Sequence, residues 1–395
     1  MDSSQGTAGG EEFYGMSYQY SCNFKHLLGT GAFGAVYKAL ITHQGDNAEI
    51  QGDAAVKLSH FTKETDPLRD LENWEKRRAR WQKLVKLRHD RLLTYHKISV
   101  YQSARGASVE YLMDFCSGGD LASLLGSYRS KKGHLDQLEA LCYAMQIIDG
   151  VDYLHVEKII HGDLKPGNIL VKPNEDHHKL LIGDLDDLIP MQQSISNPGD
   201  FHSVHGTFCY TSPECLRKLA SLDFENLGQK SDIWSIGCII HDLANCCLGI
   251  ENKIFVKEGN PPLSSEHLND HALAMKIIDG YIPFINDNIT TPFKDMIKSC
   301  LQVDSRDRPS AEELLRLCCR KINGHEATVR CSVCPMSWTS FGQSEPEFGI
   351  ALFSGTTYEK VFVQHRQKKK ALLENRWNNL WLWNVKKCWM TLFTP

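Results

Sequence analysis

An aspartate, a lysine two residues on and an asparagine five residues on stand together in His161-Gly162-Asp163-Leu164-Lys165-Pro166-Gly167-Asn168. These residue types at this spacing suit phosphoryl transfer. Asp163 offers a carboxylate to orient an attacking hydroxyl, Lys165 a cation for the migrating phosphoryl, and Asn168 an amide oxygen for a metal ion. Sixteen residues beyond Asn168 comes Asp184, preceded by the apolar pair Leu181-Ile182. A carboxylate at the end of such a run is well placed to make a second metal contact.

The elements that must position these groups can be read upstream. Leu28-Gly29-Thr30-Gly31-Ala32-Phe33-Gly34-Ala35-Val36-Tyr37 reads as strand, tight turn, strand. Glycines let backbone N–H groups approach phosphates with no Cβ in the way. In a dinucleotide-binding unit the same pattern would open a helix and be followed by an acid about 20 residues on. Here Ala35 to Leu40 continues as a strand, which favours a hairpin lid. Ala54-Ala55-Val56-Lys57-Leu58 then sets a lysine inside a short apolar strand, where burial is costly without a partner. A cation for nucleotide phosphates is the functional reading of Lys57; a lysine reaching solvent from an edge strand is the structural one.

Taken in order, these motifs resemble the eukaryotic protein kinase family, serine/threonine type, over about residues 24–320. The resemblance implies an α+β, bilobal fold. A small antiparallel-sheet lobe with one main helix would cover residues 21–115, and a larger helical lobe residues 117–322. It also implies ATP and Mg2+ as cofactors, with Mn2+ as a substitute. Gly29, Gly31 and Gly34 would cover the phosphates, Val36 would pack on the adenine, and Leu28 would also bind the nucleotide. Ala55 would line the adenine pocket, and Lys57 would hold the α- and β-phosphates. Met113 would be the gatekeeper of a hinge whose backbone groups at Asp114 and Cys116 bind adenine. Asp163 would be the catalytic base, Lys165 would contact the γ-phosphate, and Asn168 and Asp184 would ligate magnesium. Gly206 to Glu214 resembles the end of an activation segment. Glu214 would pair with Arg308, and Asp232 would brace the catalytic loop from a buried helix.

Three motifs depart from the family pattern. Gly162 stands where the family usually has the catalytic-loop arginine. The metal motif reads Asp184-Leu185-Asp186 instead of Asp-Phe-Gly, which removes a residue free to take positive φ and adds a carboxylate. Counting back from His89, the helix glutamate that should pair with Lys57 falls on Arg80. Glu72 and Glu75 lie off that face at 100° per residue. Either the register slips, or another acid such as Asp184 or Asp186 neutralises Lys57.

Lys165 and Thr207 resemble the serine/threonine pattern, and Gly167 gives no acid for a basic substrate. Ser194, Ser196 and Ser203 are candidates for modification. Two functions follow: a serine/threonine kinase moving the γ-phosphoryl of Mg-ATP to a protein hydroxyl, or a pseudokinase scaffold, for which Arg80 and Asp186 argue.

The 395 residues are 42% apolar, enough for a core, and the formal charge of −4 gives no sign of nucleic-acid binding. Residues 1–20 are expected to lack structure. They have no apolar signal region, and no run of about 20 apolar residues could cross a membrane. Cysteines such as Cys142, Cys238 and Cys300 sit in apolar helical stretches, which suggests free thiols in the cytoplasm or nucleus. Residues 323–395 fall outside the resemblance. Cys331-Ser332-Val333-Cys334 has partial zinc-ligand character, but a single C-x-x-C pair favours unpaired thiols. From residue 359 onward, eight Lys/Arg stand against two Asp/Glu, with Trp377, Trp381, Trp383 and Trp389 among them. Such a tail could touch an anionic membrane surface, although packing of the tryptophans on protein is the favoured reading.

Overall fold

A computed structural model describes residues 11–14, 18–31, 34–44, 52–62, 67–103, 106–130, 134–173, 178–187, 189–190, 208–221, 228–248 and 270–322. Thr207, Ser194, Ser196, Ser203, Cys331, Cys334 and the tryptophan-rich tail lie outside the described residues. The chain divides into two units, residues 1–174 with 178–312, and residues 175–177 with 313–395. The fold and the site described below belong to the first.

The first lobe is a six-stranded antiparallel sheet. Its strands are β1 (Glu11–Tyr14), β2 (Tyr18–Gly31), β3 (Gly34–Gln44), β4 (Asp53–Thr62), β5 (Tyr95–Ser103) and β6 (Gly106–Asp114). They lie in the order β1-β5-β6-β4-β3-β2. Ala107, Val109 and Tyr111 of β6 are buried while the residues between them are less so, the period of two that strands impose. Ala39, Ala54, Val56 and Leu112 form the core cluster of β3, β4 and β6. The expectation that residues 1–20 lack structure fails for Glu11–Tyr14, which pair with Val100 to Lys97. The outer side of β5 offers a row of backbone N–H and C=O groups, and β1 satisfies them.

The tip of the β2–β3 hairpin places Gly31 opposite Gly34. Gly34 has φ +146°, and a Cβ built there would lie 1.7 Å from the Leu58 carbonyl oxygen of β4. Only glycine lets β3 lie this close to β4.

Helix α1 (Pro67–Leu84) docks on this sheet through aromatic residues. Trp74 and Trp81 are two turns apart and cluster with Phe61 of β4, their ring centroids 6.1–6.5 Å from one another. Trp81 is buried, and its indole N–H donates to Tyr111 Oη at 3.1 Å. The helix is therefore fixed by tryptophan packing.

The second lobe is built from α2 (Leu121–Ser130), α3 (Gln137–Val156), α4 (Pro213–Ser221), α5 (Lys230–Cys246), α6 (Asp270–Ile278) and α7 (Thr291–Cys300). Asp120 caps α2 by accepting from the Ser123 N–H at 2.7 Å. Residues Ser231 to Cys246 of α5 are all buried, so this helix forms the centre of the lobe. Between α3 and α4 lie the short strands β7 (Ile159–Ile160), β8 (Ile169–Lys172), β9 (Lys179–Ile182) and β10 (Ile189–Pro190). Gln146 of α3 ties β9 down: its Oε1 accepts from the Leu180 N–H at 2.9 Å. The α+β bilobal expectation holds.

An ion pair locks the second lobe. Arg308 has a side chain with 0% exposure and donates from both terminal nitrogens to Glu214, at 2.7 and 2.8 Å. Its Nε donates to the Gln302 carbonyl at 2.8 Å, and its guanidinium lies 5.1 Å from the Trp234 ring centroid. Burial alone would raise the Glu214 pKa, but Arg308 outweighs it and holds the carboxyl below its ordinary 4.5.

Glu214→Ala is expected to cost about 3 kcal/mol at pH 7 in urea unfolding, because it strands a buried guanidinium. A depressed folded-state pKa adds stability above the unfolded value and loses it as pH falls through the folded value. The gap between wild type and variant should therefore close as pH drops below 4.5. Gly34→Ala should lower the stability of the first lobe by about 1–3 kcal/mol, read as a fall in melting temperature.

Candidate active site

Antiparallel pairing explains how residues sixteen apart in sequence come to meet. β8 and β9 pair with Ile169 opposite Ile182. Asn168 just before β8 is thereby brought beside Gly183 and Asp184 just after β9, and the Gly183 N–H donates to the Asn168 carbonyl at 2.8 Å. Pro166 opens a short 3-10 turn, Pro166–Asn168, that swings the asparagine back toward Asp163. Asn168 Nδ2 donates to the Asp163 carbonyl at 2.8 Å and to its Oδ2 at 3.0 Å. Lys165 Nζ donates to the same Oδ2 at 2.6 Å. Burial pushes the Asp163 pKa up, with Lys165 opposing.

The loop is hung from α5. Asp232 is buried to 1% exposure and accepts from the backbone N–H groups of His161 at 3.0 Å and Gly162 at 2.9 Å. His155 Nε2 lies 2.9 Å from the same carboxylate. Burial would raise the Asp232 pKa, but His155 outweighs it and holds it down. His161 donates from Nε2 to the Gly183 carbonyl at 3.0 Å and accepts from the Asp163 N–H at Nδ1, 3.3 Å away. Both partners of the loop, Asp163 and the Gly183-Asp184 turn, are thus held by one imidazole. His155 was not read from sequence; a histidine near the end of an amphipathic helix carries no local signal of a carboxylate partner.

Between the lobes lies a cleft of about 640 Å³. Its lining includes Leu28, Gly29, Gly34, Val36, Ala55, Lys57, Met113, Asp114, Cys116, Asp163, Lys165, Asn168 and Asp184, all named from sequence. Gly31 sits at the hairpin tip. Leu93, Tyr95 and Leu170 also line the cleft, and sequence reasoning did not name them. The Asp114 N–H donates to the Thr94 carbonyl at 3.1 Å, so at that residue a base edge would meet the carbonyl. The Asp114 carboxylate lies 2.8 Å from His96 Nε2. Burial would raise its pKa, but His96 keeps it below the ordinary value. In contrast, burial pushes the Cys116 thiol up to about 11, so it is not a reactive thiolate.

Lys57 on β4 resolves the question raised by Arg80. Its Nζ donates to Asp184 Oδ1 at 2.7 Å and to Asp186 at 3.0 and 2.8 Å. Burial alone would pull the ammonium pKa down, but Asp186 and then Asp184 outweigh it and hold it well above the ordinary lysine range. Burial would raise the Asp184 pKa, yet Lys57 keeps it below the carboxylate norm. Of the two alternatives, the acid from another segment is the one observed on Lys57. The metal motif does not need its missing glycine. Positive φ falls on Asp184, at 55°, while Asp186 sits in the 3-10 turn Leu185–Asp187. Aspartate is one of the few residues that tolerates that region.

The donor set fits a nucleotide and a hard cation. Asp184 supplies carboxylate oxygen and Asn168 an amide oxygen, the ligand type that magnesium takes. Asn168 donates from Nδ2 to Asp163, which turns its Oδ1 to the other side. Gly29 has nothing within 4 Å of a built Cβ, which leaves open space beside the backbone of the loop. Apolar Leu28, Val36, Ala55 and Leu170 offer the faces that a purine would need.

Comparison with known proteins agrees with this geometry. The family model "Protein kinase domain" matches residues 22–317. Human mitogen-activated protein kinase kinase kinase 19 is 27% identical over 293 residues, 73% of this chain and 19% of that protein. Mitogen-activated protein kinase kinase kinase A of Dictyostelium discoideum is 27% identical over 302 residues, 73% of this chain and 27% of that protein. Mouse serine/threonine-protein kinase Nek5 is 26% identical over 324 residues, 78% of this chain and 44% of that protein. The chain thus spans less than half the length of these curated relatives. With the family match running across both lobes and over every group that meets in the cleft, the chain belongs to the protein kinase family.

Proposed function

We propose that the chain is a serine/threonine protein kinase that transfers the γ-phosphoryl of ATP, with magnesium, to a protein hydroxyl. The convergence of Asp163, Lys165, Asn168, Asp184 and Lys57 on one cleft carries this reading. Bound Mg-ATP would supply the phosphoryl group and the divalent charge, with Asn168 and Asp184 holding the metal and Lys57 the α- and β-phosphates. Asp163 orients the substrate hydroxyl and accepts its proton. Burial strengthens it as a base, because it raises the pKa of the carboxylate. Lys165 lies against that carboxylate and presents positive charge where the phosphoryl passes. Asp232, through the His161 and Gly162 N–H groups, keeps the loop in the geometry that in-line attack requires.

Serine or threonine as acceptor is supported by Lys165 and by relatives whose names describe serine/threonine kinases. A protein substrate is supported by the pairing of Glu214 with Arg308, which the family resemblance ties to a protein-substrate platform. The buried thiols of Cys238 and Cys300 support a reducing compartment, cytoplasm or nucleus. The scaffold reading rested on Arg80 and Asp186, and the pairing of Asp186 with Lys57 argues against it.

Transfer of labelled phosphate from ATP to generic serine/threonine substrates should occur with magnesium or manganese. Asp163→Asn should lower kcat by about 10²–10⁴-fold while leaving ATP binding in place. Folded wild-type protein with no transfer above the variant's level, with either metal, would establish the scaffold reading instead.

A further inference from the structure

Lys57 is the cation that meets the nucleotide, and a cation that must reach two phosphates needs to be held from behind. Of its two carboxylate partners, Asp184 faces the cleft with a side chain 34% exposed, and Asp186 lies behind it at 5%. Asp184 contacts Lys57 through one oxygen only, whereas Asp186 uses both. A carboxylate that ligates a metal cannot be the lone anchor of the lysine as well, because the two cations compete for its oxygens.

The turn that carries Asp186 is itself pinned. Leu185 is buried to 1% exposure, and its N–H donates to Tyr95 Oη at 3.2 Å. The Tyr95 hydroxyl in turn lies 3.4 Å from Asp186 Oδ1, as donor. On α1, Arg80 occupies the register position of the expected acid, and its Nε is buried with no hydrogen-bond partner among the described residues. That helix is held by Trp74, Trp81 and Phe61. The helix also packs against the turn that carries Asp186, while the carboxylates that hold Lys57 come from that turn and from Asp184.

Resting on the kinase reading above, we propose that Asp186 is the positioning residue for Lys57 and does the work that an acid on the helix would otherwise do. Phosphate binding by Lys57 is then tied to the segment that follows the metal aspartate.

The test measures adenosine and ATP affinity, with and without magnesium, and kcat for Asp186→Asn, Asp186→Gly and the exposed-helix control Glu75→Gln. Each Asp186 variant should bind ATP about tenfold more weakly and lose about 10²-fold in kcat, since a lysine misplaced by about 1 Å costs this much. Adenosine, which lacks phosphate, should bind as to wild type, and Glu75→Gln should match wild type throughout. Asp186→Gly carries the test alone should Asp186→Asn fail to fold. Equal loss for adenosine and ATP would reduce Asp186 to a structural part and overturn the proposal. So would unchanged ATP affinity in the Asp186 variants, or a loss in Glu75→Gln as large as theirs. A wild type that transfers phosphate beside such results leaves the kinase reading standing; a wild type that binds no ATP takes both down.

Discussion

A carboxylate buried to 1% exposure in the first turn of a helix survives only if its charge is answered on every side, and Asp232 is such a group. His155 answers it from α3, and the His161 and Gly162 N–H groups answer it from the catalytic loop. The loop is therefore not free to choose another shape, because moving it would leave the carboxylate alone in a low-dielectric interior. Asp163, Asn168 and Asp184 are downstream of this bond set. His161 carries the constraint on to Gly183, Asn168 carries it to Asp163, and the β8–β9 register carries it to Asp184.

Charge in the cleft is balanced by neighbours more than by solvent. Lys57 pairs with Asp184 and Asp186, and Lys165 pairs with Asp163, so carboxylates are in excess among these five. Burial amplifies each interaction, since the same pair is worth several-fold more away from water. That is why the Lys57 pKa rises despite its burial. The excess negative charge also suits a divalent ion at Asn168 and Asp184.

Much of this was legible in the sequence, for a physical reason. The glycine loop, the strand lysine and the catalytic loop are short, so their residue types fix local geometry and the chemistry follows. Glu214 with Arg308 and Asp232 with the loop were readable only through family resemblance, because nothing local predicts a contact across 94 residues. What could not be read was which acid faces Lys57. Asp186 reaches it only because the backbone turns through positive φ at Asp184 and then winds into a 3-10 turn. His155 and Tyr95 were missed on the same grounds, since each is defined by its partner in space. β1 was missed because four residues carry too little periodic signal for a strand whose pairing is supplied by β5.

The position of β1 has a bearing on how the domain behaves when isolated. The family match begins at residue 22, whereas the strand that covers β5 is Glu11–Tyr14. A polypeptide trimmed to the matched span would keep every group in the cleft and yet bare the outer row of β5 backbone. Open rows of that kind recruit strands from other chains. Such a trimmed domain would keep its cleft and be prone to self-association through the edge that Glu11–Tyr14 covers.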